Sequence, residues 1–112
     1  METIEFDAQV LPKIQIQYFS SIRAAVEKFK EEVEIAPNTT LTVYSLLQQL
    51  VCIYEKEKKE FRNEIFDKDG KELRDDVTVT VNGTIIKHTN ACEINLNPGD
   101  TLSLFPIFPG GG

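Results

Sequence analysis

The sequence is poor in the residues from which catalytic and metal sites are usually built. It holds one histidine, His88, and two cysteines, Cys52 and Cys92, which do not form a CxxC pair. A histidine-based triad or metal site would lack a second imidazole, and two cysteines make no disulfide framework. We expect His88 to be an exposed loop residue and Cys52 to be partly exposed rather than nucleophilic. Chemistry is therefore either absent or carried by backbone atoms.

Basic charge and long apolar runs are also scarce. The 112 residues include 12 Lys and Arg against 18 Asp and Glu, a net charge of −6. Nucleic-acid binding favours a basic face, so we expect no nucleic-acid partner. No run is long enough for a transmembrane helix, and residues 1–13 lack a signal-peptide pattern. We expect a cytoplasmic, single-domain protein without a membrane partner, whose acidic surface suits solubility or docking on a basic protein.

Glycine is scarce until the end of the sequence, where Gly110, Gly111 and Gly112 stand together; the other three glycines follow Asp, Asn or Pro. A glycine run adopts almost any backbone conformation, because it has no Cβ. Such a run could carry a bare carboxylate through a narrow passage in another protein. The plain alternative is a frayed terminus or a leftover linker. Composition alone does not separate the two.

The first half of the chain shows strand and helix periodicities in turn. Residues 14–19 and 31–36 alternate between apolar and polar, as half-buried strands do. Between them, Ser20-Ser21 could cap a short helix whose apolar stripe is Ile22, Val26 and Phe29. Thr42 is a candidate N-cap for the main helix. Six apolar residues of that helix fall on one side, namely Val43, Leu46, Leu47, Leu50, Val51 and Tyr54.

The mixed-charge run 55–60 should extend the main helix into solvent, and Phe61, Ile65 and Phe66 should return the chain to the core. Residues 77–86 alternate strictly around Asn82-Gly83, which predicts a β-hairpin with a tight primed turn. Residues 97–100 predict a type II turn. The last strand should span residues 101–105 and bury Leu102 and Leu104, with pairing ending at Pro106.

This order of elements predicts an α+β domain in which one main helix packs across a mixed sheet. We divide the chain into an N-terminal extension (1–13), the domain (14–105) and a flexible C-terminal tail (106–112). The extension is compatible with an extra edge strand or a loose arm. Fully extended, the seven tail residues could reach roughly 20–25 Å, enough to enter a partner's active site.

The ordered set of motifs resembles the β-grasp, ubiquitin-like sulfur carriers of the MoaD/ThiS family, from about Ile14 to Gly112. It is carried by residues 16–23, 33–35 with 42–47, 79–83, 97–106 and the terminal glycines. The resemblance implies a β-grasp fold with a mixed sheet of about four to five strands on one main helix. Residues 67–74, an acidic-Gly turn before Leu-Arg, look closest to the small subunit of molybdopterin synthase.

Two departures from the family pattern leave the branch, and so the final acceptor, open. Gly110 stands where a small residue usually precedes Gly-Gly, and Pro106-Ile107-Phe108-Pro109 replaces the frequent Pro-Pro. The resemblance implies a carrier rather than an enzyme, with no cofactor of its own. A ubiquitin-activating-type adenylyltransferase would use ATP and Mg²⁺ to adenylate Gly112. A sulfur donor such as a cysteine desulfurase or rhodanese would then supply the sulfur of a thiocarboxylate.

In this interpretation the loaded carrier docks on the large subunit of molybdopterin synthase and donates sulfur to a pterin precursor. Gly112 carries the sulfur. The expected partner-binding residues are Phe105, Pro106, Ile107, Phe108, Gly110 and Gly111, although Phe105 could instead serve local packing. Three alternatives stay open: a modifier joined through Gly112 to lysines of target proteins, a carrier for thiamine synthesis or tRNA thiolation, and an interaction module with an incidental glycine tail.

Overall fold

The computed structural model describes residues 12–35 and 40–106. Its strands are β1 (Lys13–Tyr18), β2 (Lys30–Glu34), β3 (Leu41–Thr42), β4 (Val77–Val81), β5 (Thr84–Ile86), β6 (Asn95–Leu96) and β7 (Thr101–Pro106). Its helices are α1 (Ser20–Val26), α2 (Val43–Lys56) and α3 (Phe61–Ile65), with a short 3₁₀ helix at His88–Asn90. No helix among these is long and apolar enough to cross a membrane.

Five of the described strands form one mixed sheet in the order β2-β1-β7-β4-β5. Strands β1 and β7 are parallel, with Ile16 beside Leu102, and the other neighbours are antiparallel. The parallel pair brings the beginning and the end of the domain together at the centre of the sheet. Strands β3 and β6 form a separate two-stranded ladder. The predicted α+β class and the mixed sheet are confirmed.

The core lies between one face of this sheet and helix α2. The inward positions of β1, β4 and β7 alternate along each strand, as a sheet with one covered face requires. All six residues of the predicted helical stripe are buried against them. Thr42 caps α2 as predicted, since its Oγ1 accepts a hydrogen bond from the Ser45 amide at 3.1 Å. Phe61, Ile65 and Phe66 also enter the core.

The two predicted tight turns are present. Asn82 and Gly83 have φ of 53° and 85°, the left-handed values that a primed hairpin turn needs. In the second turn Gly99 has φ of 90°, and the Asp100 amide donates to the Asn97 carbonyl at 3.0 Å. The turns are also joined to each other, because the Asn82 side-chain amide donates to Asp100 Oδ1 at 2.9 Å.

The prediction that the charged run extends the main helix is wrong, because α2 ends at Lys56. Lys58 adopts φ of 61°, and the Lys59 amide turns back to the Tyr54 carbonyl at 2.9 Å. With the Lys58 amide on the Glu55 carbonyl at 3.0 Å, this is a Schellman closure with lysine in the position usually held by glycine. Lys59 Nζ then donates to the Val26 carbonyl at 3.0 Å, which joins α2 to α1.

Two predictions about the first helix also need correction. Ser20 lies inside α1 with φ of 52°, and no side chain caps the helix start at Phe19. The helix closes at Glu27, whose amide still donates to the Arg23 carbonyl at 2.8 Å and whose left-handed backbone, with φ of 63°, turns the chain out of the helix. Phe29 therefore lies beyond the helix, and 69% of its surface is exposed. Ile22 and Val26 are buried as predicted.

Strand β7 runs one residue further than predicted, because Pro106 still pairs with Val77. Proline lacks the N–H donor but keeps its carbonyl acceptor. His88 is another correction: it is half-buried in the 3₁₀ helix, with Nε2 2.6 Å from the Val77 carbonyl oxygen. At the other end β1 already includes Lys13. Residues 1–11 of the predicted extension lie outside the described residues.

Candidate partner-docking site at the end of the last strand

Two of the seven predicted site residues, Phe105 and Pro106, lie in the described part of the chain. The other five, Ile107, Phe108, Gly110, Gly111 and Gly112, lie outside it and stay predictions. The structure thus describes the base from which the predicted tail departs.

The alternation of β7 determines where Phe105 lies. Leu102 and Leu104 are buried toward α2, so Phe105 is on the opposite, open face of the sheet. It is half-buried there and pairs in register with Thr78 of β4. Phe105 is therefore the last aromatic side chain before the tail that the described sheet itself holds in place.

Phe105 packs against Phe19, the last residue of the predicted strand 14–19. The two rings stack with centroids 4.4 Å apart and an interplanar angle of 14°. Phe19 reaches this face because it follows Tyr18, which points into the core. The stack supports the packing role considered for Phe105, while its remaining exposed surface leaves it available to a partner. The alternation in residues 14–19 could have predicted this shared face.

Arg23 continues the stack toward the edge of the domain. Its guanidinium carbon lies 5.6 Å from the Phe19 ring centroid and 4.4 Å from that of Phe29. Arg23 Nε also donates to the Tyr18 carbonyl at 3.1 Å, which fixes the plane of the group. Phe29, Arg23, Phe19 and Phe105 form a continuous row, which we term the aromatic stack. No residue spacing predicts it, since residues 19, 29 and 105 meet only in the folded chain.

The open face beside the stack is lined by small polar groups. One row across the sheet pairs Gln17, Ser103, Thr80 and Ile85 in register. Ser103 Oγ lies 3.1 Å from Gln17 Oε1, while Ile85 is 71% exposed at the far strand. Thr80 and Ser103 are each only 7% exposed, so the accessible groups at this face are Ile85 at the far strand and the aromatic stack. Exposed apolar side chains of this kind suit contact with another protein.

Glu31, Tyr18 and Tyr54 form a second cluster of ionisable side chains. Both hydroxyls donate to Glu31 Oε2. Burial, followed by the hydrogen bonds to Glu31, raises the pKa of Tyr18 and of Tyr54 well above that of free tyrosine. Both phenols thus remain protonated near neutral pH. The cluster joins β1, β2 and α2 and serves structure rather than acid–base catalysis.

The remaining polar candidates form no reaction centre in the described residues. Cys52 and Cys92 are free and exposed, as expected for Cys52. No group of three His, Cys, Asp or Glu side chains within residues 12–35 and 40–106 could hold a metal ion. The aromatic stack is therefore the candidate docking surface among the described residues.

Comparison with known proteins finds a matching family model and several similar structures. The model of the ThiS family matches residues 16–111. The small archaeal modifier protein SAMP1 of Haloferax volcanii is 24% identical with a TM-score of 0.70, covering 88% of this chain and 99% of that one. A Pyrococcus furiosus protein assigned as molybdopterin converting factor subunit 1 is 27% identical with a TM-score of 0.57, covering 87% and 99%.

The structure of the Amycolatopsis orientalis BexX/CysO complex contains a similar chain at 17% identity, with a TM-score of 0.61 and coverage of 88% and 99%. No curated protein sequence matches the chain. The structural likenesses confirm the predicted ubiquitin-like β-grasp fold. The match across residues 16–111 shows that the resemblance seen in the motifs extends along nearly the whole chain.

Proposed function

The chain belongs to the ThiS family of ubiquitin-like sulfur carriers, and we propose that it carries sulfur on the C-terminal carboxylate of Gly112. The observation that supports this most directly is the extent of the family match, which runs through residue 111 and so includes Gly110 and Gly111, the two glycines before the last residue. The described domain supports it too, because the central strand β7 ends at Pro106, and only residues 107–109 separate it from Gly110 in the sequence.

The proposed first step is activation of the carboxylate by a ubiquitin-activating-type adenylyltransferase. A Gly112 oxygen attacks the α-phosphorus of ATP, pyrophosphate leaves, and an acyl adenylate forms. Magnesium bound with ATP in that partner would neutralise the charge that develops on the phosphates. Glycine suits the last positions because the backbone must pass close to the nucleotide without side-chain collision.

Sulfur enters in the second step. Hydrosulfide attacks the carbonyl carbon and AMP leaves, which gives the thiocarboxylate with no net oxidation or reduction. A persulfide of a cysteine desulfurase or rhodanese would instead give an acyl disulfide, which a second thiol reduces to the thiocarboxylate. This chain supplies the reactive group and the docking surface, and its partners supply the catalysis, as is general for small carriers of this kind.

We propose the large subunit of molybdopterin synthase as the acceptor enzyme, with a pterin precursor receiving the sulfur. Two features support this choice. Residues 67–74 match the pattern of that branch, and their turn forms in the domain, with Gly70 at φ of 71° and its amide on the Asp67 carbonyl at 2.9 Å. The Pyrococcus furiosus likeness, at 27% identity, is to a protein assigned to the same pathway.

The second candidate is a protein modifier, and the likeness to the modifier SAMP1 favours it. The same adenylate, or a thioester formed from it, would then be attacked by a lysine amine of a target protein. A third candidate is an interaction module whose binding survives a blocked terminus. We propose the cytoplasm as the compartment because two exposed free thiols suit a reducing environment.

The test is intact mass spectrometry after incubation with the source organism's adenylyltransferase, ATP and a sulfur donor. We expect the mass gain of one sulfur replacing one oxygen, located by fragmentation at Gly112. Adducts on lysines would favour the modifier, and an unchanged chain would contradict both.

Two matched controls make that experiment specific. A chain extended by one residue after Gly112 should not react. A Cys52→Ser/Cys92→Ser variant should react normally, which excludes sulfur added to the exposed thiols.

A further inference from the structure

We propose that Arg23 is a docking residue whose guanidinium binds a carboxylate side chain of the activating enzyme, at the rim of the channel that receives the tail. This inference rests on the proposed function, since it takes as given that a partner covers Phe105 and the tail. It adds to the expected contacts a charged contact made by the folded domain itself.

The geometry of the aromatic stack leaves one direction open to a ligand. The Arg23 guanidinium carbon lies over the Phe29 ring at 4.4 Å and over the Phe19 ring at 5.6 Å, and its Nε donates to the Tyr18 carbonyl. Among residues 12–35 and 40–106, neither terminal nitrogen of Arg23 has a hydrogen-bond or ion-pair partner. A carboxylate approaching in the guanidinium plane can accept two parallel hydrogen bonds from such a group.

The Arg23 guanidinium has no carboxylate partner in the described part of the chain, although the chain is rich in acidic residues. Acidic residues outnumber basic ones by 18 to 12. Arg74, by comparison, is held by Asp76, with Nε and Nη2 at 2.9 Å and 2.6 Å from its two carboxylate oxygens. An acidic chain repels an acidic partner group over most of its surface. Arg23 therefore offers a local position at which a partner carboxylate is attracted.

Phe29 restricts the Arg23 side chain before a partner binds. It is 69% exposed and lies outside the core, so its contribution to folding is small. It covers one face of Arg23 at 4.4 Å, which limits the rotamers of the long side chain. Arginine and aromatic side chains that are fixed before binding and covered afterwards are typical interface hot spots.

A phosphate of the partner's nucleotide would be the competing ligand for a guanidinium. The stack lies at Phe105, whereas the adenylated carboxylate lies beyond six further residues, 107–112. A chain of six residues threaded in extended form spans roughly 20 Å. The stack would therefore lie near the channel entrance while the nucleotide lies at its end, and so we favour a carboxylate.

The test measures both binding and activation with the source organism's adenylyltransferase. Pyrophosphate release gives kcat and the KM values for the carrier and for ATP, and titration without ATP gives the Kd. We expect Arg23→Gln to raise both the KM for the carrier and the Kd by about tenfold or more. Arg23→Lys should recover part of this loss. The kcat and the KM for ATP should stay within about twofold of wild type, as expected for a contact made equally before and during the reaction.

Phe29→Ser keeps the test independent of folding, because that side chain is outside the core; we expect a severalfold rise in the KM for the carrier. Ile53→Ser, which also removes a largely exposed apolar side chain (47% exposed), is the matched control on α2 and should change nothing. Thermal unfolding of each variant shows whether it is folded at the assay temperature.

The outcomes separate the inference from the function on which it rests. If wild type is activated and Arg23→Gln leaves KM and Kd unchanged, the inference is overturned and the sulfur-carrier function stands. An effect on the KM for ATP alone would identify a nucleotide phosphate as the ligand and also overturn it. If wild type neither binds nor is activated, both the function and the inference are wrong.

Discussion

Replacing Glu31 with glutamine should lower the free energy of unfolding by about 1–3 kcal/mol at neutral pH, on the basis of its two hydrogen bonds. Glu31 lies on edge strand β2 and accepts from the hydroxyls of Tyr18 in β1 and Tyr54 in α2. The carboxylate thus holds the edge of the sheet to the main helix across the core. Glutamine keeps the size of the side chain, removes its charge and replaces one of its two acceptor oxygens by an NH2 donor.

The magnitude follows from the number of bonds. Hydrogen bonds to a charged group contribute about 1.5–3 kcal/mol each, against about 0.5–1.5 kcal/mol between neutral groups. Two bonds weakened by roughly 1 kcal/mol each predict a loss near 2 kcal/mol. A neutral side chain also avoids the desolvation of a charge, which offsets part of that loss.

The same network gives the loss a pH dependence of known sign. Burial acts to raise the pKa of the Glu31 carboxyl, but hydrogen bonds from Tyr18 and Tyr54 and the nearby charge of Lys28 lower it below the model-peptide value of 4.5. A folded pKa below the unfolded one stabilises the protein above the unfolded pKa. That stabilisation is fully present at pH 7 and disappears as the pH falls below 4.5 through the folded pKa. The difference between wild type and Glu31→Gln should therefore shrink on acidification.

Urea unfolding at pH 7 and at several values below 4.5, followed by circular dichroism, measures this difference. Glu32→Gln is the matched control on the same strand. Its ion pair with Lys13, at 3.5 Å, is about half exposed on both sides, so its loss should stay below about 0.5 kcal/mol. Equal losses for the two variants, or a Glu31→Gln loss that grows as the pH falls, would refute the reasoning.

Three further predictions concern the fold. Thr42→Ala should lower the free energy of unfolding in urea by about 1 kcal/mol, because it removes the acceptor of the Ser45 amide. Thr42→Ser should recover most of this loss, and equal losses for the two variants would exclude a capping role. Gly83→Ala should lower the free energy of unfolding by about 1–2 kcal/mol. The loss comes from the φ of 85° alone, because nothing lies within 4 Å of an added Cβ. Unchanged stability would contradict that φ. Leu104→Ala should lower the free energy of unfolding by about 3–5 kcal/mol, because the side chain is fully buried. Ile85→Ala, at the exposed edge of the sheet, should change thermal unfolding little. Similar effects for the two variants would mean that the face of β7 is misassigned.

Much of the candidate site lay within reach of the sequence. Phe105 and Pro106 could be placed at the end of the last strand, and Phe105 on the face opposite Leu104, because a strand alternates its side chains. The aromatic stack could not be predicted in full. Phe29 has the spacing of an α1 stripe residue, and only the closure at Glu27, with φ of 63°, takes it out of that helix and over Arg23.

The sequence by itself determined the features whose interactions close within a few residues. The Asn82-Gly83 hairpin, the turn at Gly99, the Thr42 cap and the buried stripe of α2 each depend on local backbone preferences or on a single periodicity. Their hydrogen bonds join near neighbours, and their φ angles follow from the residue types at the turns. The local sequence pattern is therefore sufficient to predict them.

The tertiary structure alone decided the contacts between distant parts of the chain. It put β1 beside β7 in parallel, brought Lys59 to the Val26 carbonyl, and brought Glu31 to the hydroxyls of Tyr18 and Tyr54. The same packing put Arg23 beside the base of the tail. Residue spacing along the chain does not predict these contacts, because they form only when the sheet and the helices pack around one core.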